Sequence, residues 1–208
     1  MDSTFKPEYF ARHDNTPDEA FYRPPRLVKH IDEPACAALA AYYDTILPSG
    51  GAVLDLMSSW VSHLPEDNDY EQVVALGMNA TELAANEQAS AGLVHNLNTQ
   101  PVLPFADGVF DGCVLTVSIQ YLVQPGAVFR EVGRVLKPGA PLAIAYSNRM
   151  FPTKAVAIWQ SLNDERRAQL INLYLEQSGV FGARKFEDIS PHPGQSDPLY
   201  VVTGNRIA

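Results

Sequence analysis

Val53-Leu54-Asp55-Leu56-Met57-Ser58-Ser59-Trp60-Val61-Ser62-His63 begins as a short apolar run and breaks into a polar, aromatic turn. Residues 53–56 suit a strand buried on both faces, as in a parallel sheet. The turn after such a strand is where many nucleotide-binding proteins place glycines, which reach φ > 0 and let a ligand approach the backbone. Here that turn carries methionine, two serines, a tryptophan and a histidine, and no glycine.

Working outward, short apolar runs alternate with amphipathic stretches. Asp32-Glu33-Pro34 starts a helix, with Asp32 as N-cap and Pro34 in the first turn, and Pro48-Ser49-Gly50-Gly51 ends it near Leu47. Residues 73–76, 110–117 and 142–146 read as further buried strands. Residues 81–88 and 125–136 read as helices, the second with Val128, Phe129, Val132, Val135 and Leu136 inward. Residues 154–178 hold one or two helices, with Gly179 beyond them. Two strands close the chain, at 184–189 and 199–203, with little room for a helix between them. That pattern specifies an α/β, doubly wound, mostly parallel sheet with an antiparallel edge hairpin. Residues 32–208 read as a single domain. Residues 1–31 contain Pro17, Pro24 and Pro25, which break any long helix, and Phe5, Tyr9, Phe10, Phe21 and Tyr22. So many aromatics point to an N-terminal arm or lid packed on the domain rather than a solvated tail.

The chain of 208 residues is 46% apolar and 19% charged, an ordinary globular balance. Its net charge of −9 works against nucleic acid and acidic membrane surfaces, and no run of Lys and Arg offsets it. No stretch approaches the ~20 apolar residues of a membrane span. Met1-Asp2-Ser3-Thr4-Phe5-Lys6-Pro7 lacks the apolar core of a signal peptide. Cys36 and Cys113 lie far apart and read as small buried apolar residues, which fits a reducing compartment. His13, His30, His95 and His192 show no ligand spacing, so no metal is expected. A cytoplasmic protein acting on a small-molecule substrate, with no nucleic-acid and no membrane partner, is the expectation. Oligomeric state leaves no trace in the sequence.

In open α/β sheets ligands bind beyond the carboxyl ends of the strands, near the point where strand order reverses. The loops that meet there are residues 57–63, 77–79, 96–98 and 118–121. They hold most of the polar residues that sit beside apolar strands.

Four segments in order resemble the class I S-adenosylmethionine-dependent methyltransferases of the type 11 kind. Ala52-Val53-Leu54-Asp55-Leu56 is similar to the family's first strand, and Val73-Val74-Ala75-Leu76-Gly77-Met78-Asn79 to its second. Leu103-Pro104-Phe105-Ala106-Asp107-Gly108-Val109-Phe110-Asp111 resembles the entry to strand four, and Arg134-Val135-Leu136-Lys137-Pro138-Gly139 the turn before strand five. A narrower resemblance, over nearly the whole chain, is to a methyltransferase-like group associated with photosynthetic organisms. Its marks are DLMSSWVSH at 55–63, GMNATEL at 77–83, Ser147-Asn148-Arg149 and DISPHPGQSDPLYVV at 188–202. The resemblance implies a seven-stranded Rossmann-like sheet and S-adenosyl-L-methionine as cofactor. A nicotinamide enzyme is disfavoured, because no Gly-x-Gly-x-x-Gly follows the first strand.

The departures from the family pattern define the candidate site. Asp55 is retained, but Met57, Ser58 and Ser59 replace glycines and each adds a Cβ. Ser58 and Ser59 either offer hydroxyls and backbone N–H groups to a carboxylate, or Ser58 caps a short helix over residues 60–64. Trp60 stacks on a ligand, plugs the pocket or lies in the core. Asn79 stands where the family has an acid for the ribose hydroxyls; losing a charge-assisted bond there costs about 1–2 kcal/mol. Capping the helix at Ala80-Thr81-Glu82 is the alternative. Asn96, Leu97 and Asn98 occupy the adenine region, with an Asx-turn as the alternative for either Asn. Ser118 completes the expected cofactor contacts. His63 and Tyr121 are the candidate bases and Gln120 a candidate substrate orienter, His63 having the better intrinsic pKa. Two functions remain open: a methyltransferase acting on a small or medium-sized molecule, and a catalytically degenerate methyltransferase fold serving as a binding or scaffold module.

Overall fold

Side chains alternate along the strands and divide the interior into two cores, one on each face of a single sheet. The computed structural model describes residues 5–208. Residues 1–4, part of the expected arm and of the leader comparison, lie outside the described residues. Seven strands form the sheet: β1 (Ala52–Ser58), β2 (Gln72–Gly77), β3 (Ala91–Val94), β4 (Gly112–Thr116), β5 (Pro141–Tyr146), β6 (Phe181–Asp188) and β7 (Tyr200–Arg206). Their order is β3-β2-β1-β4-β5-β7-β6, with β1 to β5 parallel and β7 antiparallel to both β5 and β6. The doubly wound, mostly parallel seven-stranded sheet with an antiparallel edge hairpin is therefore present as expected.

The helices are α1 (Asp18–Phe21), α2 (Glu33–Ile46), α3 (Ala80–Ala84), α4 (Pro125–Val135), α5 (Ala157–Gln160) and α6 (Asp164–Ser178). Leu54, Leu56, Leu76, Leu115 and Ile144 face α4, α5 and α6, while Val53, Val73, Val114 and Val201 face α2. Asp32 caps α2 by accepting from the Ala35 N–H, and Gly179 ends α6 in the left-handed region at φ 73°. Both boundaries follow the local residue chemistry.

One open alternative is resolved and one element differs from expectation. Residues 60–64 form no helix, so Ser58 caps nothing there; parallel β1 and β2 are joined by an irregular crossover. Its backbone is satisfied from α3's far side instead. Asn86 donates to the Ser59 carbonyl, and Gln88 donates to the Leu64 carbonyl while accepting from the Ser62 N–H. The helix expected over residues 81–88 stops at Ala84, because Asn86 and Gln88 are spent on that crossover.

Residues 5–31 run as an arm over the carboxyl ends of the parallel strands. Asp14 N–H bonds the Thr153 carbonyl, and the Ala157 N–H bonds the Ala11 carbonyl. Lys154, 0% exposed, inserts among Asp14, Thr16 and Asp18, donating to the Thr16 carbonyl at 2.6 Å. Arg12 also holds Asp18, at 2.7 Å.

Candidate active site

Chain order reverses between β1 and β4, and a cavity of about 510 Å³ opens there, within the ~300–1,000 Å³ usual for small-molecule sites. Its floor is built by the ends of those strands. Asp55 lies in β1 on the α2 face, 2% exposed, and accepts from the Ser58 hydroxyl. Burial pushes its carboxyl up to about 7, with Ser58 and Ser62 hydroxyls pulling the other way.

The glycine-free turn keeps a glycine-like backbone. Met57 sits at φ 57° and is the extra residue of a β-bulge, since Leu56 pairs with Leu76 and Ser58 with Gly77. Gly77 permits that bulge, because a Cβ there would run into the Ser58 carbonyl. His63 at φ 56° and Val117 at φ 49° also line the cavity. Left-handed backbone in non-glycine residues costs of order 1–3 kcal/mol each, and here three such residues meet at one site.

Of the candidate residues, Asp55, Met57, Ser58, Ser59, His63, Asn96, Leu97, Asn98, Ser118 and Tyr121 line the cavity. Asn79 and Gln120 do not. Asn79, 8% exposed, caps α3 through Oδ1, which accepts from Thr81 N–H and Glu82 N–H. Its amide donates to the Tyr22 and Arg23 carbonyls of the arm. Both side-chain polar atoms of Asn79 are thus engaged within the chain, one as the cap of α3 and one on the arm. Gln120 is turned inward, donating to the Val117 and Arg149 carbonyls, and ties two loops together behind the cavity. Its Oε1 is buried and has no hydrogen-bond partner among the described residues.

The remaining amides are also committed. Asn96 accepts from the Asn98 N–H in an Asx-turn and donates to Glu19. Asn98 donates to Asp18 and to the Tyr121 carbonyl and accepts from the Val123 N–H. Trp60 is half-buried rather than in the core; it lines the cavity and donates from Nε1 to the Val28 carbonyl. The Ser118 hydroxyl, 7% exposed as a residue, has no hydrogen-bond partner among the described residues. His63 is held neutral: burial first, then the charges of Lys29 and His30, lower its imidazole to about 4, which leaves it unprotonated but weakly basic near neutral pH. Tyr121 accepts from the Phe151 N–H, and burial raises its phenol.

Sequence reasoning passed over Glu82, Arg26 and Phe151, which line the cavity together with Tyr22 of the expected arm. Glu82 is buried, accepting from the Arg26 N–H at 2.7 Å and from the Ser59 hydroxyl at 2.7 Å. Its signal was available: an acid one helical turn past Asn79 lies near the end of β2. Arg26 and Phe151 had no such signal, because their position depends on contacts remote in sequence. Among the described residues no group of three or more His, Cys, Asp or Glu side chains is arranged for a metal. No helix of the described residues is long and apolar enough to cross a membrane.

A family model described as a methyltransferase domain matches residues 57–144. A demethylmenaquinone methyltransferase of Corynebacterium urealyticum is 31% identical over 110 residues, 51% of this chain and 46% of that protein. The chain spans less than half the length of the curated relatives it matches. Among solved structures, an S-adenosylmethionine-dependent methyltransferase of Mesorhizobium loti aligns with TM-score 0.58 at 17% identity, covering 82% of this chain and 98% of that one. The cyclase SpnF aligns with TM-score 0.58 at 15% identity, covering 81% of this chain and 82% of its own. At such identities the likeness is one of fold, and a protein named for cyclisation shares it.

Proposed function

We propose that this chain, a class I S-adenosylmethionine-dependent methyltransferase-like protein by fold and domain match, binds S-adenosyl-L-methionine and methylates a small or medium-sized molecule. The observation that carries the proposal is the position of the cavity at the β1/β4 reversal, with the buried Ser118 hydroxyl left without a partner at its wall. An orphaned buried hydroxyl at the wall of a cavity suits a ligand that supplies its hydrogen bond.

The residues fit the cofactor with one change of part. Glu82, not Asn79, is the acid lining the cavity near the end of β2. Each of its oxygens takes one hydrogen bond in the chain and retains a lone pair for a ribose hydroxyl. Ser58 and Ser59 are the groups for the amino-acid portion, and Leu97 offers an apolar edge to the base. Bound S-adenosylmethionine supplies a methyl group already activated on sulfur. The chain's own part is to position the acceptor, exclude water and take a proton where the acceptor carries one. Asp55, at about 7, is better matched to that proton than His63 at about 4. The aromatic faces of Tyr22, Trp60 and Tyr121 favour a cationic sulfonium.

One observation favours the second function, a degenerate binding module. The side chains of Asn79, Asn96 and Asn98 are held by the arm or by their own loops. A thermal-shift series with S-adenosylhomocysteine separates the two. A ligand-dependent rise in Tm, reduced in Glu82→Gln and Ser118→Ala, is expected. No rise for the folded protein would leave the binding module as the better account.

A further inference from the structure

Three Arg and Lys side chains line the cavity, and two of them are paired: Arg149 with Asp197 at 2.8 Å and Lys29 with Glu33 at 2.9 Å. Arg26 makes no ion pair among the described residues. Its guanidinium lies over Phe21 at 4.7 Å and Phe151 at 5.2 Å, with Tyr22 at 5.9 Å. Two of its nitrogens donate to the Phe21 and Pro24 carbonyls. Those bonds fix the fork and leave further N–H groups of the five unused.

The surroundings of this charge are flat and aromatic. Tyr121 and Phe151 stack at 6.0 Å with 28° between their planes, and Tyr22 lines the same wall. The Tyr22 hydroxyl makes no hydrogen bond among the described residues, and the Ser118 hydroxyl is likewise unpartnered. A fixed, half-buried guanidinium without an ion-pair partner among the described residues, beside stacked rings and the Tyr22 hydroxyl, is complementary to one chemistry. A planar ring carries the stacking surface, and a carboxylate on it matches the fork with two parallel N–H···O bonds.

We propose that Arg26 is the specificity-determining residue for the acceptor, and that the acceptor is a small aromatic or conjugated carboxylic acid. The proposal rests on the cavity being the acceptor site of a methyltransferase. The acid is held by Arg26 through its carboxylate and by Tyr22, Tyr121 and Phe151 through its ring.

Saturation-transfer NMR on the whole chain tests this, with benzoate and cinnamate as probes and benzamide and cinnamamide as their uncharged isosteres. The acids are expected to bind about tenfold or more tightly than the amides, as a charge-assisted pair requires. Arg26→Gln is expected to bring the acids down to the level of the amides, and Arg26→Lys to restore part of the difference. The S-adenosylhomocysteine titration is expected to stay as in the unmodified chain. The acid–amide comparison on the unmodified chain needs no variant and so survives any misfolding of Arg26→Gln. Equal binding of acid and amide, or no binding of either, overturns the proposal. So does an Arg26→Gln variant that loses S-adenosylhomocysteine as strongly as the acid, since Arg26 would then serve the cofactor. If the acids bind selectively and S-adenosylhomocysteine does not, the methyltransferase function fails while the ligand class of Arg26 stands.

Discussion

At the scale of single residues, the site is governed by what each polar group is already bonded to. Asn79 was legible as either a ribose contact or a helix cap, and in the structure its Oδ1 accepts from the Thr81 and Glu82 N–H groups as the cap. Asn79→Ala is expected to cost about 1 kcal/mol through the lost cap, with loosened contacts to Tyr22 and Arg23, measured by urea unfolding. Asp55 was legible as a retained family residue, but its protonation was not, since that depends on the burial around it. Burial raises its folded pKa from 3.8 to about 7. The native state then holds a proton that the unfolded chain releases. Its stabilising contribution is full below the unfolded value of 3.8 and is lost as pH rises through about 7. Asp55→Asn is expected to flatten the fall in stability between pH 4 and pH 8 and to raise Tm at the alkaline end. An unchanged slope would show that the carboxyl does not titrate in that range. At Met57 the left-handed φ of 57° makes glycine an acceptable replacement. Met57→Gly is expected to stay within about 1 kcal/mol of the parent, while Met57→Ile costs more because a β-branched side chain tolerates that conformation poorly.

At the scale of elements, the buried strands were readable because both faces of β1, β2, β4 and β5 meet a core and leave near-continuous apolar runs. The seventh strand, β3, was implied by resemblance and not by pattern. It is four residues long, contains Gly92 and lies exposed at the sheet edge, so no burial rule marks it. Local pattern leaves open whether the crossover at 59–71 begins with a helical turn, because the amides that hold it come from residues 86 and 88. The arm is the element whose behaviour bears most on function. It touches the loops after β2, β3 and β5 and is pinned by the buried Lys154. Lys154→Met removes the cation shared by Asp14, Thr16 and Asp18 and is expected to cost about 3 kcal/mol. Hydrogen exchange should report the loss as faster exchange over residues 12–26, with the strands still protected. Uniform acceleration across the chain would mean that the arm is not a separable element.

At the scale of the whole molecule, the fold follows from strand and helix patterning, and the cavity follows from the fold's reversal between β1 and β4. Which polar groups remain free in that cavity does not follow from local pattern. It is decided by an arm that reaches residues some eighty positions away, as Asp18 does with Asn98. Three amides that looked available are consumed, while Glu82, Arg26 and the Ser118 hydroxyl remain. The most direct measurement is a calorimetric titration of the full chain with S-adenosylhomocysteine. Saturable heat with one site per chain, diminished in Glu82→Gln, is the expected result. Absence of heat at about millimolar ligand from a folded protein would contradict it and leave the cavity without its cofactor.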